Sequence, residues 1–97
     1  MNESADVCRI DVWLWRARFF KTRSLAARVI EEGGVRIARG SARAPLDKPS
    51  KPVRCGDVLT VAQGQRYVAV RVEDLGERRG PAPEARTLYS MLEPNRV

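Results

Sequence analysis

Histidine is absent from this chain of 97 residues, and cysteine occurs only twice. Without histidine the protein has no imidazole base, no imidazole metal ligand and no histidine pH switch. Cys8 and Cys55 have no CxxC neighbour and no histidine partner, so they form neither a typical zinc site nor a papain-like nucleophile. Gly33-Gly34 lacks the glycine spacing and the lysine of a P-loop. We therefore expect no catalytic residue and no metal site.

Long apolar runs are also absent. No segment approaches the roughly 20 apolar residues that a membrane span requires. Residues 1–8 resemble a loose leader, without the basic start and apolar stretch of a signal peptide. The sequence therefore predicts a soluble, cytoplasmic protein with reduced cysteines and no membrane partner, and we expect it to be a monomer.

Positive charge is plentiful and unevenly placed. Lysine and arginine number 18 against 12 acidic residues, and the whole net charge of +6 lies in residues 1–54. Arginine supplies 15 of the 18 basic residues, and its planar guanidinium binds phosphate with two parallel hydrogen bonds. This asymmetry favours a polyanionic partner, nucleic acid first. A well-solvated basic surface, or a GC-rich genome, would explain the same composition.

Apolar periodicity predicts two helices at the start of the chain. Ile10 to Phe20 has apolar residues on two sides of a helix, so both sides need a covering element. Thr22 or Ser24 can cap a second helix, Leu25 to Glu32, which ends at Gly33-Gly34.

Strands and a tail follow the helices. Val35-Arg36-Ile37 alternates like a short strand, and residues 39–52 form a basic, proline-rich and mobile loop that could hold a strand near Ala42-Arg43. Val58–Val61 and Tyr67–Val72 predict a hairpin. A flexible linker over 76–83 and a short helix, Glu84 to Leu92, complete the chain. The expected fold is α+β, with two helices on a small, mostly antiparallel sheet. The expected domain covers 9–75, and residues 76–97 pack on it.

The second apolar side of the first helix consists of Val12, Trp15 and Phe19. We expect Leu88 and Tyr89 of the tail to cover Trp15, whereas Trp13 belongs to the core. The alternative is that Trp15 stacks on a nucleic-acid base.

The strongest candidate site is Lys21-Thr22-Arg23-Ser24 with Arg28 one helical turn further on. Cations, hydroxyls and the free N–H groups of a helix start together suit phosphate. An ordinary helix cap with solvated basic neighbours is equally consistent with this run. Arg36, Arg39 and Arg43 surround the first strand, where Arg36 could join the same patch or face solvent.

Two longer runs carry a family resemblance. The residues from Arg9-Ile10-Asp11 through Trp13-Leu14-Trp15 to Ser24, followed by Gly33 and Val35, resemble the RNA-binding domain named after small-subunit ribosomal protein S-four, over about 9–59. The same run, with Gly76 to Ala85 and Leu88-Tyr89, resembles the bacterial fifteen-kilodalton heat-shock family. That resemblance implies binding to ribosomal RNA on free large subunits blocked by a nascent chain on transfer RNA. It also implies recycling of those subunits after heat stress, without catalysis or a cofactor.

The expected RNA footprint combines the local patterns with the resemblance. Its residues are Arg9, Lys21, Thr22, Arg23, Ser24, Arg28, Arg36, Arg39, Arg43 and Lys48. Two alternatives remain open at this point. The domain could be an RNA-binding accessory of an enzyme that modifies transfer or ribosomal RNA, or an adaptor that binds protein through Val12, Trp15 and Phe19.

Overall fold

A computed structural model describes residues 6–92, so predictions for residues 1–5 and 93–97 lie outside the described residues. Its elements in chain order are β1 (Cys8–Arg9), α1 (Ile10–Arg16), α2 (Arg23–Glu31), β2 (Val35–Arg39), β3 (Ala42–Pro45), β4 (Pro52–Val53), β5 (Val58–Gln63), β6 (Arg66–Val72), α3 (Ala82–Ala85), a 3-10 turn (Arg86–Leu88) and β7 (Tyr89–Met91). The predicted α+β fold is confirmed. None of the helices in this described part has the length and apolar character needed to cross a membrane.

Five strands form one antiparallel sheet in the order β3-β2-β5-β6-β7, and β1 pairs separately with β4. Both helices pack on the side of the sheet that carries Val35, Leu59 and Val70. Because strand side chains alternate, Arg36 and Ala38 of β2 point to the other side. The register sets Arg36 opposite Thr60 on β5. The sheet therefore separates two surfaces, one beside the helices and one facing away from them.

The first helix is shorter than its apolar pattern predicts. It ends at Arg16, not at Phe20, because Arg18 adopts a left-handed conformation with φ 66°. Arg18 donates from Nε to the carbonyl of Gly80 at 2.7 Å, which helps to hold this rare backbone geometry. Ala17 and Phe20 remain buried after the turn. The apolar stripe thus marks core residues correctly but does not mark the end of the helix.

The second helix begins and ends close to the predicted positions. Thr22 is the N-cap, and its hydroxyl oxygen accepts the N–H of Leu25 at 3.0 Å. Gly33 has φ 87° and Gly34 donates its N–H to the carbonyl of Val29 at 2.9 Å, which closes the helix end. A β-carbon at Gly34 would lie 2.6 Å from Cγ1 of Val29. The backbone of the turn therefore favours glycine at position 33, and packing requires it at position 34.

The proline-rich segment is an ordered part of the fold, contrary to the expected mobile loop. Its first part forms β3, and Leu46 is buried in the core. The carbonyls of Lys51 and Pro49 accept the N–H groups of Ile10 and Asp11 at 2.8 and 3.2 Å. These N–H groups begin α1 and have no acceptor within the helix. The segment therefore caps α1 from outside.

The tail forms a strand where a helix is predicted. Only Ala82–Ala85 is α-helical, and Tyr89–Met91 pairs with β6 at the edge of the sheet. Leu88 is buried, and its carbonyl accepts the N–H of Glu73 at 2.8 Å. Glu84 to Leu92 is thus wrong as a continuous helix, because the exposed edge of β6 offers backbone hydrogen bonds that favour an extended chain.

Arginines fasten the predicted flexible linker to the end of α1. Arg16 donates to the carbonyls of Leu75 and Gly76 at 3.3 and 2.9 Å, and Arg79 donates to the carbonyl of Trp15 at 3.0 Å. The guanidinium of Arg79 also lies 6.0 Å from the Trp15 ring centroid. The linker is therefore held in place by bonds to carbonyl groups.

The second apolar side of α1 is covered by two different parts of the chain. Phe19 packs on Tyr89 with ring centroids 4.9 Å apart. Trp15 is covered by Arg79 and not, as predicted, by Leu88 or Tyr89. Trp13 is fully buried, as predicted, and its indole donates to the carbonyl of Asp74 at 2.9 Å.

Candidate nucleic-acid interface

The start of α2 presents an exposed basic surface, which we call the α2 surface. It consists of Lys21, Thr22, Arg23, Ser24 and Arg28, all of them exposed. The N–H groups of Arg23 and Ser24 have no acceptor within the helix, and no acidic residue occupies the first turn. The partial positive charge of the helix start therefore adds to that of the side chains. This combination suits a phosphate group.

Arg9 is held beside α1 by Asp11. Its Nε and Nη2 donate to the two carboxylate oxygens of Asp11 at 3.0 and 2.9 Å, and these hydrogen bonds raise the pKa of Arg9. Asp11 is buried, whereas about half of the Arg9 side chain (51%) is exposed. The pair fixes the guanidinium plane while leaving one edge open to a partner.

The segment that caps α1 carries a further basic residue. Burial raises the pKa of the Cys8 thiol, next to Arg9 in the chain, and the positive charges of Arg16 and Arg23 oppose this rise. Lys48 is exposed in the segment that caps α1, where its carbonyl accepts the N–H of Lys51 at 3.1 Å. The capping segment and β1 therefore meet at the start of α1.

Arg39 is committed to a structural ion pair. Its Nε and Nη2 donate to Asp57 at 2.8 and 2.7 Å, and this bonding raises the pKa of Arg39. Asp57 is 2% exposed and also accepts the N–H of Arg54 at 3.0 Å. Asp57 therefore joins β2 to the turn before β5.

Replacing Asp57 with alanine is expected to lower the free energy of unfolding by about 2 kcal/mol. The change removes two charge-assisted hydrogen bonds and one backbone acceptor, and the partial exposure of Arg39 moderates the loss. Urea denaturation measures the effect. Asp47→Ala, at an exposed carboxylate, is the control and should leave stability unchanged. Equal denaturation midpoints for the two variants would contradict the structural role of Asp57.

Arg36 and Arg43 lie away from the α2 surface. Arg43 pairs with Ala38, which shares a face of the sheet with Arg36, and this face points away from the helices. The ten predicted residues therefore do not form one patch. Two of them, Arg36 and Arg43, lie behind the sheet, and Lys48 lies in the segment that caps α1. Arg39 is bonded to Asp57 and links β2 to the turn before β5. The six on or near the helical layer are Arg9, Lys21, Thr22, Arg23, Ser24 and Arg28.

Sequence reasoning missed the roles of several other arginines. Arg16, Arg18 and Arg79 were counted only as charge, yet each donates to carbonyl groups that bind the linker to α1. Arg71 shares the face of Arg36 and Arg43. The alternation of β6 carried the signal, since Val70 and Val72 face the core and Arg71 must face the opposite way.

The two cysteines line one groove of ≈ 880 Å³, together with Arg9, Arg16 and Asp74. Both are free thiols. Burial raises the pKa of Cys8 and of Cys55, and nearby carboxylates raise that of Cys55 further. Neither thiol is therefore activated as a nucleophile at neutral pH. Among the side chains of residues 6–92, no group of three acidic or cysteine residues has the geometry of a metal site.

A family model for the S4 domain matches residues 8–59, the part that contains both helices and the α2 surface. The chain belongs to the S4 domain family. The heat shock protein 15 homolog of Aeromonas salmonicida is 43% identical over 91 residues, which cover 94% of this chain and 65% of that protein. The present S4 domain chain therefore spans less than two thirds of the length of this relative.

Two further relatives match at nearly full length. The RQC P-site tRNA stabilizing factor of Bacillus subtilis is 34% identical over 89 residues, covering 92% of this chain and 96% of that factor. A trimeric structure of Vibrio cholerae heat shock protein 15 matches with a TM-score of 0.77 and 41% identity, covering 90% of this chain and 83% of the other. The resemblance to the fifteen-kilodalton heat-shock family is confirmed, and the match extends beyond the S4 domain into the tail.

Proposed function

We propose that the protein is a ribosome-associated RNA-binding factor of the cytoplasm. It binds ribosomal RNA of free large subunits that carry a nascent chain on transfer RNA, and it helps to recycle them, without catalysis or a cofactor. The observation that carries the proposal is the α2 surface, an exposed basic helix start within the S4 domain match. The names of the relatives, a heat shock protein and a stabilizing factor for P-site tRNA, support the ribosomal setting.

The chemistry of the α2 surface fits a phosphate backbone better than base edges. Lys21, Arg23 and Arg28 supply charge, while the N–H groups of the helix start and the Ser24 hydroxyl supply directed hydrogen bonds. Arg9 adds a guanidinium group whose orientation is fixed by its hydrogen bonds to Asp11. Such contacts position a protein on RNA and carry little sequence preference. We therefore propose recognition of RNA shape at a defined ribosomal site.

The adaptor alternative needs Val12, Trp15 and Phe19 to be exposed together. Arg79 lies over Trp15, and Tyr89 packs on Phe19. An apolar docking face is therefore not offered by this side of α1. The proposed monomer acts through its basic surfaces.

The proposal predicts tight, salt-sensitive binding to free large subunits that hold peptidyl transfer RNA. Co-sedimentation should recover the protein with these subunits in preference to free small subunits and whole ribosomes. If about five phosphates are neutralised, log K should fall against log salt with a slope of roughly −3.5 to −4.5. Crosslinking should recover large-subunit ribosomal RNA. A slope near zero, or equal recovery with small subunits, would contradict the proposal.

A further inference from the structure

The side of the sheet that faces away from the helices carries its own group of cations, and we call it the outer sheet face. The register places Arg43, Ala38, Val58 and Arg71 in one row across four strands. The neighbouring row contains Arg36, Thr60 and Ala69. The side chains between the three arginines are small or β-branched, so a partner can approach the sheet closely.

The arginines of the outer sheet face are not neutralised by the described part of the chain. Within residues 6–92, the side chains of Arg36, Arg43 and Arg71 form neither an ion pair nor a hydrogen bond, and all three are exposed. Arg9 and Arg39, in contrast, are each paired with a carboxylate. One carboxylate shares the face: Glu73, two residues beyond Arg71, accepts the hydroxyl of Ser90 at 2.6 Å. The face therefore keeps a net positive charge, which attracts a polyanion and opposes packing against an identical face.

The spacing of these arginines suits an extended backbone. Neighbouring strands lie about 4.8 Å apart, so the Arg43 and Arg71 backbones are separated by roughly 14 Å across three strand intervals. Arg36 is a diagonal neighbour of Arg43, at about 7 Å. Long arginine side chains at these positions can reach successive phosphates along one strand, whereas a single small anion would engage at most two of them.

An exposed aromatic residue lies on the same face. Tyr67 is 65% exposed and stands opposite Ala62, two residues along β6 from Ala69 and four from Arg71. The ring lies at one margin of the outer sheet face, where it lines a groove with Phe20, with Val29 of α2 and with Glu32 at the end of that helix. Exposed aromatic rings beside basic surfaces stack on the bases of single-stranded nucleic acid. Tyr67 thus supplies a contact for a base at the margin of the face that carries the arginines.

We propose that the outer sheet face is a second RNA-binding face, which holds an unpaired RNA segment while the α2 surface holds another. The sheet and the core lie between the two faces, so one short strand cannot occupy both with the same phosphates. The inference rests on the proposed function for the first RNA, but the second site depends on different residues. One domain would then join two RNA segments.

Three full-chain variants separate the two faces. The outer-face variant combines Arg36→Gln, Arg43→Gln and Arg71→Gln, and the α2 variant combines Arg23→Gln and Arg28→Gln. The control variant combines Arg54→Gln, Arg66→Gln and Arg86→Gln, which removes the same charge as the outer-face variant from exposed positions without side-chain hydrogen bonds among residues 6–92. A labelled oligouridine of about 12 nucleotides is the probe, a length within the range that small single-strand-binding folds cover. Sedimentation gives the stoichiometry, and a thermal melt verifies folding.

The wild type and the control variant should bind two oligouridines per chain, and the outer-face and α2 variants should each bind one. Tyr67→Ala should weaken the second binding event about tenfold, the scale of one lost stacking contact. Two oligouridines on the outer-face variant, or equal losses in the outer-face and control variants, would overturn the second site. The second site would also be overturned if the protein formed an oligomer without RNA and the outer-face substitutions dissociated it. The outer sheet face would then be an interface between copies of the chain. If instead the α2 variant alone matches the wild type, the α2 surface and the proposed function fail while the outer site stands.

Discussion

Truncation before Ala82 is expected to lower the free energy of unfolding by at least about 4 kcal/mol and the melting temperature by about 20 °C. The change removes buried Leu88 and Ala85, the contact of Tyr89 with Phe19, and the edge strand β7. It also exposes the hydrogen-bonding edge of β6. Because a domain of this size is stabilised by only about 5–15 kcal/mol, much of its cooperativity should be lost. Calorimetry and tryptophan fluorescence measure the result, since Trp13 bonds to Asp74 just before the tail.

The matched control is a shorter truncation after Leu92, which keeps all of β7. Its melting temperature should stay within a few degrees of the full chain. A long truncation that melts like the short one, with unchanged tryptophan emission, would mean that the tail contributes little to the core.

Changing Arg23 and Arg28 together to alanine should weaken RNA binding at least about a hundredfold without unfolding the protein. Each charge-assisted phosphate contact contributes roughly 1.5–3 kcal/mol, and both side chains are exposed on α2. The slope of log K against log salt should also become shallower, by the amount expected when about two phosphate contacts are lost. Binding to large subunits at several salt concentrations measures both effects.

The choice of control for this double variant follows from the structure. Arg78 and Arg79 are the obvious pair from sequence, but Arg79 bonds to Trp15 and its loss would disturb the fold. Arg54→Ala with Arg86→Ala removes the same charge at exposed positions outside both basic faces. Full affinity in the Arg23/Arg28 variant, with lost affinity in the control, would mean that RNA binds elsewhere.

Local rules predicted the elements that local interactions determine. Three features follow from residues close to them in the chain. They are the cap at Thr22, the glycine end of α2 and the alternation of β6. The end of α1 was missed because it depends on Gly80, 62 positions away from Arg18. The strand β7 was missed because its extended form depends on the free edge of β6, a property of the assembled sheet.

The candidate site was predicted in its composition but not in its geometry. Arg36 and Arg43 carry the charge that the sequence assigns to them, yet strand alternation sends them behind the sheet. Arg39 has the same local setting but meets Asp57, whose position depends on the turn before β5. A count of basic residues cannot distinguish these outcomes, because it contains no information about which carboxylate is near.

The bonds between α1 and the tail also determine when the chain can fold during its own synthesis. Trp13, at the centre of the core, finds its hydrogen-bond partner at Asp74, and Phe19 finds its cover at Tyr89. A ribosome that has released only the S4 match, residues 8–59, exposes a chain whose core is still open on one side. Contacts that span sixty or seventy residues form late and slowly. The domain therefore completes its core only after residues near 90 have left the exit tunnel.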